Sequence, residues 1–334
     1  MSMSRIALTW FVALTAVVGF ASTALALDVV ATTTIVADAV RAVAGEDIDL
    51  VTLLPANADP HAFQATPNDL VALSNADVVF INGADLEADF ADILATTNGL
   101  IVDLSTRLAL RESADLEHHH DGEDHEHGDE DHEHGDEDHE HGDEEHAHAD
   151  EEHSHGPHDP HVWLDPTYVM IWTSAIEQTL SEMDPENAAR YASRAAEYRA
   201  ELADLDLWIW EQIGRIPTEQ RNLVTDHLVF GYYAARYGLR QVGAILPSFS
   251  SLAEPSAQEI AELLDTITAL NVPAIFVGKT VSPVLAETIA TDTGTKMVVI
   301  YTGALSEKSG PAATYLEFMR FNTKAFVDAL VAAP

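Results

Sequence analysis

The sequence predicts an α/β protein: two α/β lobes with parallel-type sheets, joined by one long backbone helix and leaving a cleft between them. Three observations predict it. Short runs rich in valine and isoleucine, bounded by Gly, Asn and Pro, alternate with helical patterns in both halves of the chain, as strands of a parallel sheet buried on both faces do. Between the halves lies a stretch with an apolar stripe at helical spacing. The 334 residues allow two hydrophobic cores.

The elements follow in order. Residues 1–26 read as a secretory signal: Arg5 is the sole charge, an apolar run extends from Ile6 to Phe20, and Ala24–Leu25–Ala26 supplies a small-x-small cleavage pattern. The competing reading is a membrane anchor, for which the run is short, and no other stretch is long and apolar enough to span a bilayer. The N-terminal lobe is placed at 27–183. It has strands at 27–33, 48–54, 77–83 and 100–105, and helices at 34–44, 67–76 and 86–95.

Residues 112–159 interrupt this lobe. "GDEDHEH" occurs twice in succession at 128–141, and 117–159 hold 14 of the 17 histidines and 20 acidic residues with no lysine or arginine. A segment of that composition cannot bury enough apolar surface to offset ordering entropy, so disorder is expected without metal. Each H-x-H pair can chelate an ion when extended, because residues two apart point the same way. A metal-collecting or metal-sensing loop is one reading; a permissive solvated insertion is the other.

The linking helix is placed at 184–216, with Asp184 as N-cap, Pro185 at the first helical position and Pro217 beyond its end. Ala188, Tyr191, Ala195, Leu202, Leu205 and Ile209 form its stripe; an alternative is two amphipathic helices with a break. Trp208 and Trp210 on it are expected to pack rather than to recognise a ligand. The C-terminal lobe, 217–334, has strands at 222–227, 239–245, 273–278 and 296–301, and helices at 228–237, 255–270, 282–293 and 312–330. Glu254 is read as a turn or cap residue before the second of these helices, in preference to a cleft residue.

The formal charge of −40 argues against nucleic acid or anionic membrane as partner and favours cations. With no cysteine in the chain, disulfides and thiolate metal sites are excluded, and any metal must take nitrogen and oxygen ligands. Only three histidines lie outside the run. His61 follows a strand in "LLPANADPHAFQATPNDL", His161 stands in the Pro-bounded turn "HDPHVWLDP", and His227 ends the strand "NLVTDH". All three are at strand ends or βα loops, where an α/β cleft gathers ligands. Three neutral imidazoles suit zinc, whereas manganese prefers more oxygen.

The motifs "ADPHAFQATPNDL", "DPHVWLDP", "DHLVFGYYAARYGL", "AEPSAQEIAEL" and "GPAATYLEFMR" make the mature chain resemble the zinc- and manganese-binding solute-binding proteins of ABC importers, the cluster A-I or ZnuA/TroA-like group. The resemblance implies a metal buried between the lobes, with His61, His161 and His227 as ligands. It also implies an ABC permease as partner and no enzymatic activity. Histidine at 227, where others have glutamate, and the His-rich insertion resemble the zinc branch. One position departs: where many relatives carry a ligand aspartate after the last strand, this chain reads "YTGALS", with Gly303, so the fourth ligand position is open.

The expected function is therefore that of a monomeric periplasmic protein which binds Zn2+ and delivers it to the permease, with a periplasmic metallochaperone as a possible loading partner. The alternative is a periplasmic zinc store or metallochaperone in which the His/acid run is the main site. A metallohydrolase is disfavoured because no H-E-x-x-H or other general-base motif accompanies the histidines. A surface adhesin has no support beyond export.

Overall fold

A computed structural model describes residues 26–112, 158–280 and 282–331. Residues 1–25 of the expected signal and nearly all of the His/acid run lie outside these described residues. The first sheet comprises β1 (Leu27–Ala31), β2 (Ile48–Thr52), β3 (Val78–Ile81) and β4 (Leu100–Asp103), in the order β2-β1-β3-β4. The second comprises β5 (Asn222–His227), β6 (Arg240–Leu246), β7 (Ala274–Gly278) and β8 (Lys296–Ile300), in the order β6-β5-β7-β8. Every pairing is parallel. The two sheets thus share one topology, and each reverses its winding beside its first strand, which places a crevice at the strands' carboxyl ends.

Helices α1 (Thr34–Ala44), α2 (Pro67–Asn75), the single-turn α3 (Ala91–Leu94) and α4 (Pro166–Met183) belong to the first half, and α6 (Gly231–Tyr237), α7 (Ala257–Ala269), α8 (Val284–Thr293) and α9 (Tyr315–Val331) to the second. Their starts are locally encoded. Thr33 accepts the Val36 amide ahead of α1, and Thr66–Asp69 and Ser256–Glu259 form reciprocal capping boxes at α2 and α7. Asp165 caps α4, with Pro166 at its first position.

The long helix α5 runs Ala188–Ile213, 26 residues or roughly 39 Å at 1.5 Å per residue. Asp184 is not its N-cap. It terminates α4 instead, its amide bonding Leu180 O at 2.8 Å, while its carboxylate accepts from Tyr191 Oη at 2.7 Å and Asn187 Nδ2 at 2.6 Å. The chain has to turn between two packed antiparallel helices, and that turn consumes residues 184–187. Tyr191, Ala195, Leu202, Leu205 and Ile209 are buried as the stripe requires, joined by Tyr198 and Ile213. One apolar core runs continuously from Val29 and Phe80 of the first sheet, past α5, to Phe276 and Ile300 of the second. Two smaller clusters line the outer faces. A shared core of this kind permits only small lobe displacements.

Two further expectations need correction. The 86–95 helix is reduced to a 3₁₀ turn at Ala88–Phe90 followed by α3. Ala84 and Asp85 there take left-handed φ values of 50° and 64°, and the Glu87 carboxylate is spent on the amides of Asn82 and Gly83 and on the Thr32 hydroxyl. Residues 228–230 stay outside α6 because Leu228 and Val229 bond the 246–248 loop and His227 instead. Glu254 lies exposed, and the cap of α7 is Ser256. Trp208 packs with the Arg320 guanidinium 4.9 Å from its ring, while half-exposed Trp210 meets the Tyr237 ring edge-on. Among the described residues no helix is long and apolar enough to cross a membrane.

Candidate metal centre

His61, His161 and His227 converge at the carboxyl ends of the two sheets. Each offers an imidazole nitrogen within 4.8 Å of the others, and among the described residues they form the one group of three such side chains. The Nε2 atoms of His61 and His161 stand 3.3 Å apart. Two imidazole nitrogens bound to one tetrahedral zinc at about 2.05 Å would be roughly 3.3 Å apart, so this pair already has the spacing of ligands. The rings pack edge to face, with centroids 5.2–5.7 Å apart, and Trp163 walls the site with its ring 5.2 Å from that of His161.

Each histidine is held by an aspartate close before it in sequence. In both D-P-H tripeptides the carboxylate accepts the histidine amide two residues on: Asp59 Oδ1 to His61 N and Asp159 Oδ1 to His161 N, each at 3.0 Å. Asp159 Oδ1 also accepts His161 Nδ1 at 2.8 Å, and Asp226 Oδ1 accepts His227 Nδ1 at 2.9 Å. With Nδ1 committed as donor, Nε2 keeps the lone pair that an ion needs, and the carboxylate raises ligand basicity. These three carboxylates were not singled out from sequence. Their signal was present, since an Asp stands one or two residues before every histidine outside the run.

Outer contacts fix the carboxylates in turn. Asp226 Oδ2 accepts the Gly278 amide at 2.7 Å. A methyl group on Gly278 would lie 2.5 Å from Thr302 Oγ1 and 2.8 Å from Asp226 Oδ2, so only glycine allows this approach. Gly278→Ala should therefore tilt Asp226 and weaken metal binding about tenfold, the loss typical of a disturbed outer partner; a chelator-competition titration reads it. Tyr232 Oη donates to Asp159 O at 2.9 Å and accepts the Arg111 amide at 3.0 Å. Asn82 Nδ2 donates to Pro160 O at 3.0 Å. The turn that carries His161 is thus held from both lobes.

His161 and His227 are 1% and 3% exposed, and His61 is half-buried. Burial pushes the Asp159 carboxyl up to about 7, against the pull of the His161 amide, Arg111 and His227. For His227 burial alone acts downward, yet the charge and hydrogen bond of Asp226, with Asp59 and Asp159 nearby, carry its pKa above the ordinary imidazole value. A site this rich in negative charge favours a cation.

The chain matches the family model described as "ZnuA: Zinc-uptake complex component A periplasmic" over residues 29–329. It is 28% identical to the manganese-binding lipoprotein MntA of Halalkalibacterium halodurans, over 91% of this chain and 88% of that one. It is 27% identical to the manganese ABC transporter substrate-binding lipoprotein PsaA of Streptococcus pneumoniae, over 91% and 89%. Among solved structures, the periplasmic zinc-binding protein TroA from Treponema pallidum superposes with a TM-score of 0.73 at 24% identity, covering 90% of this chain and 98% of that chain. The Mn-bound periplasmic metal-binding protein from Candidatus Liberibacter asiaticus gives 0.72 at 24% identity, with the same coverage. These structural likenesses bear on the fold, two parallel-sheet lobes with a long helix, and the family match carries the rest: the chain belongs to the ZnuA family, metal-binding substrate-binding proteins of ABC importers and not enzymes.

Proposed function

We propose that this protein is the zinc receptor of an ABC importer, working in the periplasm as a monomer. It holds Zn2+ through His61, His161 and His227 and surrenders it to the membrane permease. The observation that carries the zinc reading is the donor set. Three imidazoles converge with no carboxylate among them, and the aspartates close by hydrogen-bond to ring or backbone N–H groups. Zinc accepts a nitrogen-dominated tetrahedron, whereas manganese favours oxygen-rich, higher coordination. The manganese relatives named above give the competing metal its standing, and the two ions need to be compared directly.

Competition titration of the protein lacking residues 118–158 should retain one tight zinc site and bind Mn2+ far more weakly. A tighter manganese site would reverse the specificity. Loss of all tight binding would shift function to the His/acid run.

The pH dependence has a definite sign. The metal takes the unprotonated imidazole, so protons compete. Because the His227 pKa is raised, competition sets in above the ordinary imidazole range near 6.5. Zinc affinity should be full at about pH 8 and fall toward pH 5, by about tenfold per unit for each proton displaced. A flat profile across that window would remove the histidines from the ligand set.

A further inference from the structure

Gly303 stands where the resemblance leads one to expect a ligand aspartate, and the structure gives it a different task. A methyl carbon placed on Gly303 would lie 2.5 Å from Pro60 Cδ and 2.7 Å from Pro60 Cγ. Real Cβ contacts are not that short, so the Pro60 ring sits where any side chain at 303 would begin. Gly303 and Pro60 are both buried. Pro60 immediately precedes His61, and its ring fixes the local backbone, so a displacement of Pro60 passes directly to the ligand.

The docking is more than one contact. Asn57 N donates to Leu305 O at 2.9 Å, and Ser251 Oγ donates to Asp59 Oδ2 at 2.5 Å. The first-lobe loop 57–61 is therefore seated on second-lobe residues at three points, one of them the bare Cα of Gly303. The seat itself is firm. Thr302 O accepts Trp163 Nε1 at 3.0 Å, and Leu305 N donates to Thr34 Oγ1 at 2.9 Å.

We propose that Gly303 is a positioning residue: by seating Pro60 against its Cα it holds His61 in the three-nitrogen site, and the Pro60 ring leaves no room there for a side-chain ligand from position 303. The inference rests on the zinc reading for its consequence, but the contact can be tested apart from it. A side chain at 303 has to push Pro60 outward by about 1 Å to reach ordinary van der Waals distance. A ligand displaced by that much no longer meets the ion at bonding distance.

The test is a double-mutant cycle on the full mature chain, with chelator competition reporting the tightest site for Zn2+ and for Mn2+ separately. Gly303→Ala should weaken zinc by about tenfold or more. Gly303→Asp should do the same and gain no manganese affinity, since its carboxylate has no room in which to become a ligand. In a Pro60→Ala background, which removes the ring carbons, adding Gly303→Ala should change zinc affinity by less than about threefold.

Wild-type affinity in Gly303→Ala would overturn the proposal, as would an equal loss in both backgrounds or a manganese gain in Gly303→Asp. A Gly303→Ala chain that folds only alongside Pro60→Ala supports the contact, whereas one that folds in neither background overturns it. Should the wild type prefer manganese, the zinc reading fails while the cycle still reports on the contact.

Discussion

Replacing His161 with alanine should abolish tight metal binding, with a loss on the order of a thousandfold, well beyond the roughly 10–100-fold that outer-partner changes bring. His161 is the most deeply buried of the three proposed ligands, at 1% exposure, and its Nε2 lies 3.3 Å from that of His61. Its removal leaves two imidazoles, one from the turn Pro60–Ala62 and one from the end of β5, too few for a tetrahedral nitrogen site. Asp226→Asn keeps all three imidazoles and changes the group that partners His227 Nδ1 and accepts the Gly278 amide. Its loss should therefore stay within the outer-partner range, making it the graded comparison. Titration of the chain lacking 118–158 reads both, with near-ultraviolet circular dichroism to verify packing. Tight binding that survives His161→Ala would mean the ion sits elsewhere.

The second large effect is on stability. Asp206→Ala should destabilise the fold by about 3–5 kcal/mol, the usual result of removing one partner of a buried ion pair. Asp206 on α5 accepts Arg236 Nε and Nη2 at 2.6 Å each, and the Tyr237 hydroxyl at 2.7 Å. Arg236 also reaches Asp165 Oδ1 at 3.4 Å, the N-cap of α4. This cluster therefore ties three helices together, and Asp206 and Asp165 hold the Arg236 guanidinium more firmly protonated than usual. Alanine at 206 strands a guanidinium that is only 24% exposed. The melting temperature of the metal-free protein should drop by roughly 10 °C. Asp206→Leu combined with Arg236→Met should recover most of that loss, because a well-packed apolar pair replaces a buried ion pair at little cost. Equal melting temperatures for Asp206→Ala and wild type would show that the pair contributes nothing net.

The strands were legible in sequence because a buried parallel strand needs only a short apolar run with turn residues at its ends. "LDVVATT" and "PAIFVG" meet that rule with no reference to the rest of the chain. The start of α2 was legible because its cap, Thr66, bonds an amide three residues on, whereas at α7 the sequence pointed to Glu254 and the cap is Ser256. Asp184 met the same local rule and was misplaced, because its amide and carboxylate serve a helix–helix turn whose geometry depends on how α4 packs against α5. The 86–95 region was misread for a similar reason. The Glu87 side chain bonds Thr32, 55 residues distant in sequence, and that long-range bond outweighs the local helical preference.

For the metal centre, the sequence by itself determined which residues are available: three histidines outside the run, each at the end of a strand or in a βα loop, each preceded by an aspartate, in a chain without cysteine. Those properties follow from residue type and spacing, which act over a few residues. Only the tertiary structure decided that His61 and His161, separated by 100 positions, bring their Nε2 atoms to 3.3 Å. It also decided which carboxylates fix the rings of His161 and His227 and that Pro60 lies against Gly303, at the position the sequence had left open. Ring orientation and close approach depend on atoms contributed by distant segments, and those segments meet only when the shared core brings the two sheets together.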